Sequence, residues 1–137
     1  MKRVAEEFPG DPQMAATILV MDDDQSMREL LRLHLSNAGY KVLLAEDAID
    51  GGHLLLRQRP DLVLADIEMP FMDGLEFLRA VKADRTTRSV PVIFVTVRVE
   101  AEAQAKKLGA AAFLTKPLFL PKLLSTVAQH VEGRVAV

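Results

Sequence analysis

Five side chains of this sequence, Asp22, Asp23, Asp66, Thr96 and Lys116, are of the types needed to hold a phosphoryl group beside a divalent cation. Three carboxylates held together repel one another, and each rises in pKa unless a cation sits among them. A hard ion is the natural resident: Mg²⁺ takes about six oxygens at roughly 2.0–2.1 Å and keeps several waters, so a few carboxylates and a phosphoryl oxygen suit it. On this reading Asp23 and Asp66 are direct ligands, Asp22 holds a metal-bound water, and a backbone carbonyl near Glu68 completes the protein's share. The hydroxyl of Thr96 and the ammonium of Lys116 are left to bind the remaining phosphoryl oxygens, which is how phosphoryl transfer is accelerated when the protein does little covalent chemistry itself. Position selects the nucleophile. Asp66 ends the apolar run DLVLAD and opens the loop IEMPFMDG, so it projects alone into the centre, whereas Asp22 and Asp23 stand to one side as a pair.

Singly, these residues say little. An Asp-Asp pair is more often a solvated turn or a helix N-cap, a lone Thr an ordinary strand residue, and a lone Lys a surface charge. MPFMDG by itself is a turn leading into a helix, with Gly74 supplying a permissive backbone. His34, His53 and His130 fall on separate helices with no ligand spacing among them and read as surface or packing residues.

The elements that must position the five give them weight. From Thr17 the chain alternates short apolar runs with helical periods. Thr17 to Met21 precedes a helix carried by Met27, Leu30, Leu31, Leu35 and Ala38 and closed by Gly39. The unit recurs as Lys41 to Ala45 with Ala48 to Gln58, Asp61 to Ala65 with Leu75 to Ala83, Val90 to Thr96 with Glu100 to Leu108, and Ala111 to Thr115 with Pro121 to His130. The strands show little polar alternation, as expected when helices cover both faces of a sheet. Five such units predict an α/β fold with a doubly wound, five-stranded parallel sheet. In such sheets the ligand crevice lies outside the carboxyl ends of the strands, and Asp22, Asp23, Asp66, Thr96 and Lys116 all fall at those ends.

The bulk properties close off other classes. With 137 residues there is room for one domain, expected over residues 17–132, with tails at 1–16 and 133–137. No apolar run approaches the roughly 20 residues that span a bilayer, and the start MKRVAEEFPGDPQM lacks the apolar stretch of a secretory signal. No membrane association and a cytoplasmic location are therefore expected. The absence of cysteine removes disulfides, thiolate metal sites and a Cys nucleophile. A net charge of -2 offers no basic field for nucleic acid.

The segments ILVMDDD, DLVLADIEMPFMDG, PVIFVT and AAFLTKP stand in the order and at the separations of the receiver domains of bacterial response regulators, and the resemblance extends over residues 17 to 132. The resemblance implies a flavodoxin-like, chemotaxis-regulator-like fold with strand order 2-1-3-4-5. It further implies phosphorylation by a histidine kinase or a histidine phosphotransfer protein, Mg²⁺ dependence, and action as a conformational switch in a two-component system or phosphorelay. Carried over by position, Asp66 resembles the phospho-acceptor, Asp22 and Asp23 the acidic pair, Thr96 the switch hydroxyl, Lys116 the phosphate-pairing lysine and Phe113 the switch aromatic; the Lys116-Pro117 bond is expected to be cis. Such a domain is no enzyme beyond its own phosphorylation and dephosphorylation. Output then passes through an unidentified partner protein, a phosphate relay or a domain outside this sequence.

Three places depart from the family pattern. Val97 stands where Ala, Gly or Ser is usual, a branched side chain at the mouth of the site. Gly51 and Gly52 replace a common Ala-Leu pair and predict a second helix that is weak or starts late, at about 1 kcal/mol per glycine. Phe119 beside Leu118 and Leu120, ahead of Pro121, predicts an apolar docking patch on the face of helix 4, strand 5 and helix 5. The charged residues through which that face pairs in DNA-binding regulators are not evident, and the oligomeric state stays open. The competing reading is a Mg²⁺-dependent phosphatase with an aspartyl nucleophile. That class places a second acid two residues after the nucleophile, for which Asp22-Asp23-Asp24 is the nearest candidate, but the cap insertion that follows in that class is lacking.

Overall fold

The structure, a computed structural model, describes residues 15–131. The tails expected at 1–16 and 133–137 lie outside the described residues, save for Ala15 and Ala16. Five strands, β1 (Thr17–Met21), β2 (Lys41–Ala45), β3 (Leu62–Ala65), β4 (Val92–Thr96) and β5 (Ala112–Thr115), form a parallel sheet in the order β2-β1-β3-β4-β5. The helices between and after them are α1 (Gln25–Asn37), α2 (Ala48–Gln58), α3 (Gly74–Ala83), α4 (Glu102–Lys107) and α5 (Leu120–Val131). This is the expected doubly wound sheet with the expected strand order.

Successive strand residues face opposite layers, and both layers are apolar. Leu19 and Met21 of β1 join Phe94, Phe77 and Leu78 in one core, while Ile18 and Val20 join Leu31, Leu35, Leu123 and Val127 in the other. That is why the strands carry no polar alternation. Aspartates start three of the helices. Asp24 accepts from the Ser26 and Met27 amides, Asp47 from the Asp50 amide, and Asp73 forms a capping box with Glu76. Gly39, at φ 99°, closes α1 one residue after the cap at Ala38, the left-handed position that glycine fills without strain.

The fourth unit differs from expectation. In place of one helix from Glu100 to Leu108, a 3₁₀ turn at Val99–Ala101 leads into the short α4. Strand β4 begins at Val92 because Pro91 before it has no N–H for the ladder.

The predicted late start of α2 is overturned. The helix runs without a break from Ala48, capped by Asp47, through both glycines. A Cβ on Gly51 would lie 2.6 Å from Met21 Sδ, so this glycine lets the helix approach β1, whereas a Cβ on Gly52 meets nothing within 4 Å. The two therefore separate experimentally. Gly52→Ala is expected to stabilise the chain by about 0.5–1 kcal/mol, and Gly51→Ala to destabilise it by about 1–3 kcal/mol through overpacking. Urea melts of both variants check this; a shift of the same sign in the two would contradict it.

Candidate functional site

Asp22, Asp66 and Lys116 are each the first residue beyond a strand, and each is fixed there by a bond to the neighbouring strand's end. The Asp22 amide donates to Ala45 O at 3.1 Å, the Asp66 amide to Met21 O at 2.9 Å, and the Lys116 amide to Thr96 O at 2.9 Å. Registered in this way, three side chains far apart in sequence meet. Lys116 Nζ lies 2.8 Å from Asp22 Oδ2 and 2.8 Å from Asp66 Oδ2. The second oxygen of each acid is held by backbone: Asp22 Oδ1 accepts from the Asp24 amide at 2.9 Å, and Asp66 Oδ1 from the amides of Ile67 at 2.6 Å and Glu68 at 3.2 Å. Asp22 and Asp66 are only 2% and 7% exposed, so two buried carboxylates share one ammonium. The Lys116-Pro117 peptide is cis, as expected.

The electrostatics follow from that ratio. Burial pushes the Asp22 carboxyl above the usual aspartate range, reinforced by the charge of Asp66 and opposed by the bonds from Lys116 and the Asp24 amide. For Lys116, burial is the strongest single influence and favours the neutral amine. The hydrogen bonds and charges of Asp22 and Asp66 together outweigh it and hold its pKa above the ordinary lysine value. The stability contributed by Lys116 is thus fully present below the ordinary lysine pKa and lost only as pH rises through the raised folded value. Asp22 acts at acid pH. The folded chain holds its proton more tightly than the unfolded chain, so stability falls as pH rises from the ordinary aspartate pKa through the raised one. Asp22→Asn removes that loss and keeps an acceptor for the Asp24 amide. Its stability relative to the unaltered chain is expected to be higher at neutral pH than at a pH below the ordinary aspartate value. Melts at the two pH values check the difference, and an equal effect at both would refute the cause.

The remaining predicted residues are distributed around this triad. Thr96 is fully buried, and its hydroxyl oxygen accepts from the Arg98 amide at 3.2 Å. Asp23 is exposed beside Asp22. The Glu68 side chain is exposed and turns to Arg98, whose Nε lies 4.0 Å from it and 3.1 Å from Glu100. Val97 is 61% exposed just past the end of β4. Phe113 is half-buried and meets Phe94 edge to face, with centroids 6.4 Å apart and ring planes at 65°.

Among the described residues, no three His, Cys, Asp or Glu side chains gather closely enough to cage a metal ion. Mg²⁺ does not require such a cage, because it keeps several waters and is commonly held by one or two carboxylates plus phosphate oxygens. The donor chemistry fits: the Asp22 and Asp66 carboxylates are oxygen donors carrying more negative charge than Lys116 neutralises, and Asp23 stands beside them.

Two expectations are corrected. Gly74 does not supply an unusual backbone; Phe71 takes the positive φ of the loop, 73°. Gly74 supplies space, since a Cβ there would lie 2.5 Å from Asp66 O and 2.8 Å from Ile67 Cα. The apolar patch is also narrower than expected. Phe119 is 69% exposed, but Leu118 and Leu120 are partly buried against the core. Beside Phe119, a groove of about 260 Å³ is lined by Phe113, Pro117, Leu118 and Leu123, with Glu102 and Lys122 also on its wall. Sequence reasoning missed Arg28, whose guanidinium donates to the Asp22 carbonyl. It also missed Asp24 as the cap of α1, although Asp-x-x ahead of an apolar period was a signal for it.

Comparison with known proteins adds the following. The model of the family described as the response regulator receiver domain matches residues 18–128. The response regulator MprA of Mycobacterium sp. strain KMS is 40% identical over 114 residues, which are 82% of this chain and 49% of that protein. MprA of Mycobacterium leprae is 38% identical over 112 residues, 80% of this chain and 48% of its own. The chain thus spans about half the length of the curated relatives it matches. Among solved structures, the signal receiver domain of a signal transduction histidine kinase from Syntrophus aciditrophicus superposes with a TM-score of 0.81 at 30% identity, covering 87% of this chain and 92% of that one. The chemotaxis response regulator CheY4 of Vibrio cholerae gives a TM-score of 0.79 at 31% identity, covering 84% and 98%. No helix among the described residues is long and apolar enough to cross a membrane.

Proposed function

The chain belongs to the response regulator receiver domain family of two-component signalling, and from that premise we propose that Asp66 accepts a phosphoryl group from a histidine kinase or a histidine phosphotransfer protein in a Mg²⁺-dependent reaction. The observation that carries the proposal is the contact of one ammonium, Lys116 Nζ, with both buried acids at 2.8 Å. A carboxylate oxygen of Asp66 attacks phosphorus, the P–N bond of the donor phosphohistidine breaks, and the ring leaves as neutral imidazole, its other nitrogen already carrying a proton. Lys116 turns from Asp66 Oδ2 to a phosphoryl oxygen. Thr96, whose oxygen accepts from the Arg98 amide, keeps its own hydrogen to donate to another.

Asp23 and Asp66 would hold Mg²⁺ directly, with Asp22 through a water and a backbone carbonyl near Glu68. When bound, the ion supplies further neutralisation of the phosphoryl charge. Movement of Thr96 then biases Phe113 and the far face of the domain by population shift. The chain works in the cytoplasm, its catalysis is confined to its own phosphorylation and dephosphorylation, and its partners are proteins rather than nucleic acid or membrane. The phosphatase reading is disfavoured because Asp24, the acid two residues after Asp22, is spent on capping α1.

Titration with beryllofluoride and Mg²⁺, followed by backbone amide shifts, tests the proposal. The unaltered chain is expected to shift in the loops after β1, β3 and β4 and at Phe113, and Asp66→Asn is not. Failure of the unaltered chain to respond at millimolar Mg²⁺ would refute it. Val97 gives a second measurement. With its side chain at the mouth, Val97→Ala is expected to accelerate phosphorylation by a small phosphodonor about threefold, equivalent to under 1 kcal/mol of barrier; equal rates would dismiss the hindrance.

A further inference from the structure

Arg28 belongs to the first turns of α1, yet its side chain folds back across the loop that carries the acidic pair. Its guanidinium Nη1 donates to the Asp22 carbonyl at 2.7 Å, a short charge-assisted bond. Nη2 reaches toward Glu46 Oε2 at 3.9 Å, in the segment between β2 and α2. The side chain is only 15% exposed, whereas that of Glu46 is 70% exposed, so the carbonyl is the contact that holds it.

That carbonyl is one half of the peptide plane joining Asp22 to Asp23. The Asp22 carboxylate is already fixed by Lys116 and the Asp24 amide. Asp23 is exposed, and no hydrogen bond or ion pair anchors its side chain among the described residues. Its direction is set by backbone alone: on the far side by Asp24, whose carboxylate caps α1, and on the near side by the Asp22 peptide. We propose that Arg28 is a positioning residue for cation binding, pinning the Asp22–Asp23 peptide so that the Asp23 carboxylate is presented at the site.

This inference rests on the reading of Asp22 and Asp23 as the cation-holding pair. A guanidinium next to a cation site also repels the cation, which predicts the opposite sign for its removal. The charge of Glu46, 3.9 Å from the guanidinium, offsets that field in part, while the bond to the carbonyl is short and undiluted. Positioning therefore wins.

The test is Mg²⁺ affinity of the full chain, read from amide shifts, for the unaltered protein, Arg28→Ala and Arg28→Lys, with melting in the absence of Mg²⁺ alongside. Arg28→Ala is expected to bind Mg²⁺ about tenfold more weakly, the usual scale for losing a support behind a metal ligand. Arg28→Lys, an ammonium that keeps the charge but not the planar fork, is expected to fall between the two. Affinity unchanged or tightened in Arg28→Ala would overturn the inference, and so would a lowered melting temperature with unchanged affinity of the folded chain. If Arg28→Ala does not fold, Arg28→Lys decides: weaker binding supports the role and equal binding overturns it. No Mg²⁺ binding by the unaltered chain would instead bring down the proposed function and this inference together.

Discussion

Asp66→Asn is expected to take up no phosphoryl group from acetyl phosphate or phosphoramidate under conditions that label the unaltered chain, a loss of at least about a thousandfold. A carboxamide has no anionic oxygen to form the bond to phosphorus. It does keep an oxygen for the Ile67 and Glu68 amides that now bond Oδ1. Its NH₂ replaces an acceptor facing Lys116, so Lys116 turns wholly to Asp22, which already bonds it at 2.8 Å. One of two buried like charges disappears. The variant should therefore stay folded, and loss of labelling would report chemistry rather than collapse. Intact-mass measurement after incubation, paired with a melt, checks both statements. Labelling of Asp66→Asn at the unaltered rate would place the acceptor elsewhere.

Gly74→Ala is expected to be the most destabilising single-methyl change near the site, by about 3 kcal/mol, or about 10 °C in melting temperature. The atoms in the way are mostly backbone. Asp66 O would stand 2.5 Å and Ile67 Cα 2.8 Å from the new Cβ, with Phe94 Cε1 also at 2.8 Å. At Gly51, by contrast, the obstacle is the thioether of Met21, which can bend away. The Gly74 amide also donates to Ile67 O at 2.7 Å, which ties the start of α3 to the segment after β3. Moving the helix away would drag the acceptor's own backbone. Gly74→Ala should accordingly also weaken Mg²⁺ binding in whatever fraction remains folded. A melt within 1 kcal/mol of the unaltered chain would show that α3 can shift freely and that the close approach is not required.

The two substitutions show different degrees of legibility. Asp66 could be read from the chain because an acid that ends an apolar run must sit at a strand end, and period is a property of neighbouring residues. The same logic yielded the five strands and placed Thr96 and Lys116 on the shared rim, whereas the strand order came only from the family resemblance. Gly74 could be seen but not understood. As a turn glycine it suggested an unusual φ, and only the packing of α3 against the backbone after β3 shows that the missing side chain is what matters. Gly51 misled for the same reason: helix propensity counts a glycine as a local cost, and the close approach to Met21 that it permits is a distant benefit.

The sequence alone determined which residues end the strands and what chemistry they can perform, because alternation, apolar runs and residue type are one-dimensional. Tertiary structure decided how those residues meet. That Lys116 bridges Asp22 across 94 positions and Asp66 across 50 depends on strand register and side-chain reach. Neither is encoded in any single segment; both arise only when five strands settle against one another and the ends of β1, β3 and β5 come level.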